Sequence, residues 1–173
     1  TYTANETVTA GYQLVGYTPS ATATVASNGT GNILVTNKQN KATITVTKDV
    51  VNPDGGPVSD NTTFQVTLGG VTKNLSENTP AVFQVNPGTY TASEAAHANY
   101  DLVGYTPSAT TTVGPMGSAT INVTNKQKKA HITVQKDVRT FTGANIADNQ
   151  SFTISWNAGA DFPIAENNAH VLL

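Results

Sequence analysis

Three polar residues stand where the alternation of apolar and polar residues would place an apolar residue facing the core. They are Lys48, Glu94 and Asn125, and each follows, at a spacing of two, apolar residues that share one face of a predicted strand. The apolar residues of these series are Ala42, Ile44, Val46 and Val50 for the lysine, Tyr90 and Ala92 for the glutamate, and Ile121 and Val123 for the asparagine. Burying a lone ammonium or carboxylate is costly unless the charge is paired or neutralised. A sequence that buries a base, an acid and an amide therefore needs a chemical reason.

The chemistry available to these three side chains is the formation of an amide bond. A desolvated amine has a lowered pKa and can act as a neutral nucleophile, whereas a desolvated carboxyl group stays protonated and can shuttle protons. We therefore expect Lys48 to attack the side-chain carbonyl carbon of Asn125, with Glu94 as the catalyst and ammonia as the leaving group. The alternative is a structural arrangement in which Lys48 extends its charged end to solvent and Asn125 caps a strand end.

An internal repeat supplies a second set of the same residue types. Residues 1–68 match residues 89–156 without an insertion, and 37 of these 68 positions are identical. The corresponding residues at this offset are Glu6 for Glu94, Asn37 for Asn125 and Lys136 for Lys48. We therefore assign Glu6 as a second catalyst, and Lys136 and Asn37 as a second pair of bond-forming residues.

The repeat period divides the chain into three segments. The polar runs 38–41 and 126–129 are copies of each other, and their composition is typical of short linkers. We expect residues 41–128 to form one complete β-sandwich repeat of about 88 residues. Residues 1–40 are then the C-terminal half of a first repeat, and residues 129–173 are the N-terminal half of a third repeat.

Composition and hydrophobic periodicity both favour an all-β fold. The chain has 29 threonines, 12% charged residues and no cysteine, and a high content of β-branched residues favours strands. A period of two marks seven short strands between residues 41 and 128, separated by turn signals such as 86–88 (NPG). The expected architecture is a tandem array of immunoglobulin-like antiparallel β-sandwich domains. It places Lys48 on the first strand, Glu94 on the fifth and Asn125 on the last.

Three segments resemble the collagen-adhesin B-type (prealbumin-like) isopeptide-forming domains of bacterial surface adhesins and pilins. They are 44–49 (ITVTKD), 88–94 (GTYTASE) and 121–125 (INVTN), and the similarity extends over 41–128 and the matching halves on either side. The resemblance implies a bond from Lys48 on the first strand to Asn125 on the last strand, assisted by Glu94. It also implies an extracellular location at the cell surface.

We expect a structural role rather than an enzymatic one. The hypothesis is a stalk or filament module of a bacterial surface adhesin or pilus-like fibre, stabilised by autocatalytic Lys–Asn isopeptide bonds. The alternative is an extracellular β-sandwich module that binds carbohydrate or host matrix. Such modules usually offer aromatic side chains to their ligand. Few exposed aromatics are expected here, because the sole tryptophan, Trp156, lies in the core phase of its strand.

The expected partners are further copies of the repeat. Either adjacent repeats of one long chain complete the two half-repeats, or head-to-tail copies do so in a filament. In the filament, Lys136 would bond to Asn37 of the next chain, with Glu6 as the catalyst. A host or cell-surface ligand would be bound through another domain.

Several partner classes are not expected. Beyond Lys126, Lys128 and Lys129 the sequence has no basic cluster, and it has no run of eighteen apolar residues. A nucleic-acid partner and membrane insertion of this segment are therefore not predicted. No cofactor is predicted either. A metal site is not expected, because the histidines lack the spacing of ligands; they are His97, His131 and His170.

Overall fold

The computed structural model describes residues 1–155, 159–166 and 168–172, and every regular element among them is a strand. The chain divides into two compact units, Thr1–Lys128 and Lys129–Leu173. The strands of the first unit are β1 (Tyr2–Thr3), β2 (Tyr12–Thr18), β3 (Thr22–Ala23), β4 (Leu34–Gln39), β5 (Ala42–Val51), β6 (Phe64–Leu68), β7 (Val71–Leu75), β8 (Ala81–Val85), β9 (Gly88–Glu94), β10 (Tyr100–Thr106), β11 (Thr110–Val113) and β12 (Ser118–Gln127). Those of the second unit are β13 (Ile132–Gln135), β14 (Phe152–Ile154), β15 (Phe162–Ile164) and β16 (Ala169–Leu172). The expected all-β fold is confirmed, whereas the core position expected for Trp156 lies outside the described residues.

Residues 41–128 form a sandwich of two four-stranded sheets. One sheet has the order β10-β12-β5-β8, and the other has the order β11-β9-β6-β7. A single apolar core contains the inward residues of both sheets. It includes Ile44, Val46, Phe64, Val66 and Ile121, all essentially inaccessible to solvent. The alternating pattern in the sequence therefore corresponds to the inner and outer faces of these strands.

The sandwich differs from the sequence prediction in two respects. It contains one strand that the periodicity did not mark, and two neighbouring strands run parallel where antiparallel strands were expected. Strand β10 makes eight strands where seven were expected, and it lies at the edge of its sheet. Its apolar residues Leu102 and Val103 are both exposed, and the pairing with β12 shifts register between Leu102 and Gly104. Such a bulge breaks the alternation on which the prediction depends. Among the strand pairs of the described residues, β5 with β12 is parallel and the others are antiparallel.

The first forty residues contain two strand pairs of their own. Strand β1 pairs with β3, and β2 pairs with β4. The turn before β2 reaches the sandwich, because a Cβ atom on Gly11 would lie 2.8 Å from Pro115 Cβ. Gly11 also has a φ of +85°, so a larger residue at this position would be strained as well as crowded.

The second unit is built from two further pairs, β13 with β16 and β14 with β15. A small apolar cluster of Phe162 and Ile164 holds it together, with Val134, Phe152 and Ile154 packed against it. In the described part of the chain, no helical segment has the length and hydropathy of a membrane span. The division of the chain into three repeat segments remains a prediction from the sequence.

Candidate functional site

The two sheets bring Lys48, Glu94 and Asn125 together inside the sandwich. Lys48 lies on β5 and Asn125 on the neighbouring β12 of the same sheet, where Lys48 is in register with Val123. Because alternate residues of a strand share a face, Asn125 lies two positions beyond that partner on the inward side. Glu94 ends β9 in the opposite sheet, opposite Val66 of β6. The three residues assigned from the sequence therefore converge from three strands and both sheets.

The glutamate lies between the amine and the amide. Asn125 Nδ2 donates a hydrogen bond of 2.6 Å to Glu94 Oε1. Lys48 Nζ lies 3.4 Å from Glu94 Oε2, so each carboxylate oxygen faces one of the other two groups. Lys48 Nζ also donates to the Val123 carbonyl over 3.2 Å and to the Asp49 carbonyl over 3.4 Å. One carboxyl group thus contacts both the nucleophile and the amide nitrogen that would leave.

The site is dry. The side chains of Lys48 and Glu94 are 0% and 2% exposed, and Asn125 as a residue is 1% exposed. Lys48 Nζ lies 4.3 Å from the centre of the Phe64 ring, which covers the amine from the apolar side. Burial lowers the pKa of the Lys48 amine, although the Glu94 carboxylate acts in the opposite direction. A lowered pKa raises the fraction of neutral, nucleophilic amine at neutral pH. The position of Lys48 disagrees with the structural alternative, in which its charged end would reach solvent.

The Asn125 carbonyl oxygen is the unusual atom of this site. It is buried, and no hydrogen-bond donor among the described residues satisfies it. Buried carbonyl groups are nearly always paired, so an unpaired one needs an explanation. Glu94 contacts Nδ2 of the amide and not this oxygen, so the carbonyl group is left without a hydrogen bond. The carboxyl group is placed to give a proton to Nδ2, the atom that would leave if the amine attacked Asn125 Cγ.

Tyr105 is a site residue that the sequence analysis did not identify. Its hydroxyl accepts a hydrogen bond of 2.8 Å from the Glu94 backbone N–H and so fixes the end of β9. The corresponding Tyr17 accepts one of 3.0 Å from the Glu6 backbone N–H. The repeat is the sequence feature that could have identified Tyr105, because the segment LVGYTPSAT, which contains both tyrosines, occurs at 14–22 and again at 102–110.

A second polar cluster closes the sandwich near the site. Asp60 Oδ2 accepts hydrogen bonds of 2.6 Å from the Tyr100 hydroxyl and 2.8 Å from Gln127 Nε2, and Asp60 Oδ1 accepts one from the Thr62 backbone. The Tyr100 bond is the main reason why the pKa of Asp60 lies well below its usual range. The Tyr100 ring packs edge-on against Phe64, the ring that covers Lys48. The cluster therefore supports the aromatic wall of the site.

An open cavity of about 280 Å³ lies beside the Glu94 carboxyl group. Glu94, His97, Tyr100 and Asn125 are among the residues that line it. The amide end of the site is therefore next to a solvent-connected space, whereas the amine end lies against Phe64. A small leaving group such as ammonia has a short route out of the protein on the amide side.

The second set of assigned residues is divided between the two units. Asn37 Nδ2 donates a hydrogen bond of 2.8 Å to Glu6 Oε1, which repeats the Asn125–Glu94 contact. Lys136 belongs to the other unit, where its Nζ lies 4.5 Å from the centre of the Phe152 ring. The structure brings together the acid and the amide of this set and places the amine on the aromatic ring that corresponds to Phe64.

Comparison with solved structures gives neighbours that are major pilins of Streptococcus pyogenes. The T3.2 major pilin is 14% identical with a TM-score of 0.25, and the match covers 72% of this chain and 65% of the pilin. Two mutant forms of a Streptococcus pyogenes major pilin are 17% and 19% identical, with TM-scores of 0.29 and 0.28. They cover 72% and 68% of this chain and 67% and 65% of the pilin. No protein-family model and no curated protein sequence matches this chain.

The chain thus spans about two thirds of the length of these pilins. At such low identities and TM-scores the likeness carries no argument about function. The functional conclusion has to rest on the geometry of the site.

Proposed function

We propose that residues 41–128 are a self-crosslinking structural module, in which Lys48 and Asn125 form an isopeptide bond with Glu94 as the catalyst. The observation that carries the proposal is the buried carboxyl group of Glu94. Its Oε1 accepts from Asn125 Nδ2 over 2.6 Å, and its Oε2 lies 3.4 Å from Lys48 Nζ. No simpler role accounts for an amine, a carboxyl group and an amide with an unpaired carbonyl in one dry core.

The reaction follows from this arrangement. The Lys48 ammonium first passes a proton to Glu94, which leaves a neutral amine and a neutral carboxylic acid in the apolar core. The amine attacks Asn125 Cγ, and the acid, which contacts Nδ2, donates its proton to that nitrogen as it becomes the leaving group. The lysine nitrogen then gives up its second proton to the Glu94 carboxylate as the Cγ–Nδ2 bond breaks, and Nδ2 leaves as ammonia. The new Nζ–Cγ amide joins β5 to β12, and the proton left on Glu94 departs with the ammonia as ammonium, so that Glu94 is again a carboxylate.

The fold supplies the rate enhancement that small amides in water lack. Holding amine and amide on neighbouring strands replaces a bimolecular encounter with an intramolecular one. Exclusion of water strengthens the contacts of Glu94 and protects the intermediate from hydrolysis. The bond acts on the protein itself, so the module is not an enzyme with an external substrate.

The position of the bond suits a load-bearing element. Strands β5 and β12 run parallel, so the chain enters the sandwich at one end through β5 and leaves it at the other end through β12. Tension along the chain would pass from Lys48 directly to Asn125 and bypass the residues between them. This path supports a stalk or filament module at a bacterial cell surface. It agrees with the resemblance to the collagen-adhesin B-type domains of surface adhesins and pilins.

Binding of carbohydrate or matrix is less well supported. Exposed aromatic side chains do occur, contrary to the expectation from the sequence, and Tyr2 and Phe141 are the most exposed of them. Tyr2 corresponds to Tyr90, which packs against the core of the sandwich. Tyr2 therefore occupies a position that faces the core in the complete sandwich, which does not favour a role as a ligand platform.

Intact-mass measurement tests the proposed bond. The folded wild-type chain should be lighter than its sequence mass by one ammonia for the Lys48–Asn125 bond. Glu94→Gln keeps the size of the side chain but removes its acid–base function, and it should restore the full mass. The matched control Lys73→Ala, which removes another lysine of the same sandwich, should keep the loss. A wild-type chain that folds at its full sequence mass would contradict the proposal.

A further inference from the structure

The end of β5 that carries Lys48 extends beyond its antiparallel neighbour. The pairing of β5 with β8 ends at Val46, so Lys48 and Val50 lie past the last pair. On this edge of the strand, the backbone N–H of Val50 instead donates a hydrogen bond of 3.0 Å to Glu77 Oε1. A side chain therefore replaces the strand neighbour at the part of β5 that supplies the amine.

Glu77 binds a second backbone group at the same time. Its Oε2 accepts a hydrogen bond of 2.6 Å from the Asp60 N–H, so one carboxylate joins the end of β5 to the loop that precedes β6. Hydrogen bonds to a charged acceptor are stronger than those between neutral groups. The loop before β6 is therefore fixed to the strand that carries Lys48.

Asp60 extends this connection to the strand that carries the amide. Its side chain accepts a hydrogen bond of 2.8 Å from Gln127 Nε2, and Gln127 follows Asn125 by two positions on β12. Asn125 is itself the register partner of Val50, the residue that Glu77 binds. We call Glu77, Asp60 and Gln127 the clamp, because they join β5 to β12 next to the two reactive side chains.

The carboxylate contact of the clamp occurs a second time in the chain. In the second unit the Asp148 N–H donates to Glu166 Oε2 over 2.6 Å, the same distance as in the clamp. The loop has otherwise diverged, because only three of residues 51–63 are identical in residues 139–151. The aspartate is one of the three. Its retention in a loop that has changed elsewhere indicates a constraint on this residue.

We propose that the clamp positions Lys48 for attack on Asn125. Glu77, Asp60 and Gln127 are then positioning residues of the crosslinking reaction, because they act through the two strands and not on the reacting atoms. A small shift of β5 relative to β12 would change the distance from Nζ to Cγ. A displacement of about 1 Å can slow the reaction of two held groups by about a hundredfold. The inference rests on the proposed function and adds the residues that set its geometry.

The effect expected of the clamp differs from an effect of charge. Burial lowers the pKa of the Lys48 amine, and the charge of Glu77 acts in the opposite direction. Loss of that charge alone would favour the neutral amine and would not slow the attack. Loss of position would slow it, so the two explanations predict opposite changes in rate when Glu77 is replaced.

The rate at which the folded chain loses ammonia tests the proposal. The full chain is refolded, and its folding by circular dichroism and its mass are both followed with time. Glu77→Ala and Gln127→Ala should each lose ammonia about tenfold or more slower than the wild type once folded, because either change interrupts the clamp. Glu77→Gln, whose carbonyl oxygen can still accept from one N–H, should react at an intermediate rate.

Val113→Ala is the matched control. It removes buried volume from β11 opposite Gly88, at the end of β9 away from Glu94. It should therefore lower the stability of the sandwich without slowing the reaction of the folded chain. The double variant Glu77→Ala/Gln127→Ala should be no slower than the slower single variant, since both residues act through Asp60.

The outcomes separate this inference from the proposed function. If the wild type loses one ammonia but folded Glu77→Ala and Gln127→Ala react at the wild-type rate, the inference is wrong while the proposed function stands. A double variant slowed by the product of the two single effects would also overturn it, because the two residues would then act independently. A wild type that folds at its full sequence mass would refute both proposals. If Glu77→Ala does not fold, Gln127→Ala and Glu77→Gln give the same decision.

Discussion

Asn125 Nδ2 and Glu94 Oε1 are 2.6 Å apart across the two sheets of the sandwich. The contact links the amide of the last strand to a carboxyl group whose other oxygen faces the Lys48 amine. It places Glu94 on the opposite sheet from both Lys48 and Asn125, the residues of the proposed bond. Formation of the site therefore requires that the two sheets have already packed, so the reaction should follow folding rather than precede it.

The first prediction concerns stability. The bond closes a loop from residue 48 to residue 125, and the loop-entropy scaling gives a stabilisation of roughly 4–5 kcal/mol relative to the open chain. Asn125→Ala removes the bond and should lower the melting temperature by at least 15 °C, about 4 °C or more for each kcal/mol in a sandwich of this size. Asn122→Ala, on the outer face of the same strand, is the control and should change it little. Calorimetry on both variants measures the difference, and equal melting temperatures would contradict the crosslink.

The second prediction is that the rate of bond formation depends little on pH near neutrality. Burial lowers the pKa of Lys48 from its ordinary value of 10.5, and in the proposed mechanism the proton of the amine passes to Glu94 within the site. Because the reactive amine and acid together hold as many protons as the ion pair, their fraction does not change with the pH of the buffer while the pair is intact. Chain recovered unfolded can be diluted into buffers between about pH 6 and pH 8 and its mass followed with time. A rate that rises about tenfold for each unit of pH would mean that the lysine proton is lost to solvent and that Glu94 does not take it.

The third prediction concerns the Asp60 cluster. Hydrogen bonds from Tyr100, Thr62 and Gln127 lower the folded-state pKa of Asp60 below its ordinary value of 3.8. The ionised carboxylate therefore stabilises the fold at pH values above about 4, and the contribution is lost as pH falls through the lowered folded pKa. Asp60→Asn should be less stable than its parent near pH 7, and the difference should shrink below about pH 4. Denaturant unfolding in a Glu94→Gln background, where unfolding is not limited by the crosslink, measures both values.

A stability difference between Asp60→Asn and its parent that grows on acidification would contradict this assignment. It would mean that Asp60 is favoured in its protonated form by the fold. Tyr100→Phe removes the shortest of the hydrogen bonds to Asp60 and serves as the second variant. It should reproduce part of the loss near neutral pH and leave less of the acid dependence.

The fourth prediction is mechanical. With the bond in place, force applied to the chain ends cannot extend residues 49–124, which are 76 residues. Without the bond these residues add roughly 260 Å of contour length when the sandwich unfolds. Single-molecule stretching of the full chain should therefore lack that step in the wild type and show it in Glu94→Gln. A step of this length in crosslinked wild type would place the bond elsewhere.

Much of the site could be predicted from the sequence because alternate residues of a strand lie on the same face of the sheet. A period of two in hydrophobicity therefore identifies the residues that face the core. Lys48 and Asn125 lie in the inward phase, and the structure places both in the core. Strand β10 could not be predicted in this way, because Leu102 and Val103 both face solvent and a bulge follows. The parallel pairing of β5 with β12 was also missed, because the alternation of apolar and polar residues is the same whichever way a strand runs relative to its neighbour.

The supporting residues were harder to predict for a different reason. Asp60 reads as a turn residue, and its hydrogen bonds to Tyr100 and Gln127 join positions 40 and 67 residues away. Local patterns cannot reveal such pairs. The Tyr105 contact to Glu94 spans only 11 residues, but it joins strands of different sheets, which alternation along one strand does not reveal. The same contact occurs between Tyr17 and Glu6 in the other copy of the repeat. An internal repeat can therefore point to a supporting residue whose role the sequence does not otherwise reveal.

The most direct test of the central claim is identification of the crosslinked peptide in the folded wild-type chain. An amide on Lys48 blocks tryptic cleavage there, so cleavage after Lys41, Lys73 and Lys126 should release peptides 42–73 and 74–126 joined as one species. The account predicts that this species is lighter than the two peptides together by one ammonia, with fragment ions that assign the link to Lys48 and Asn125. Recovery of separate peptides cleaved after Lys48, with unmodified Asn125, would contradict it.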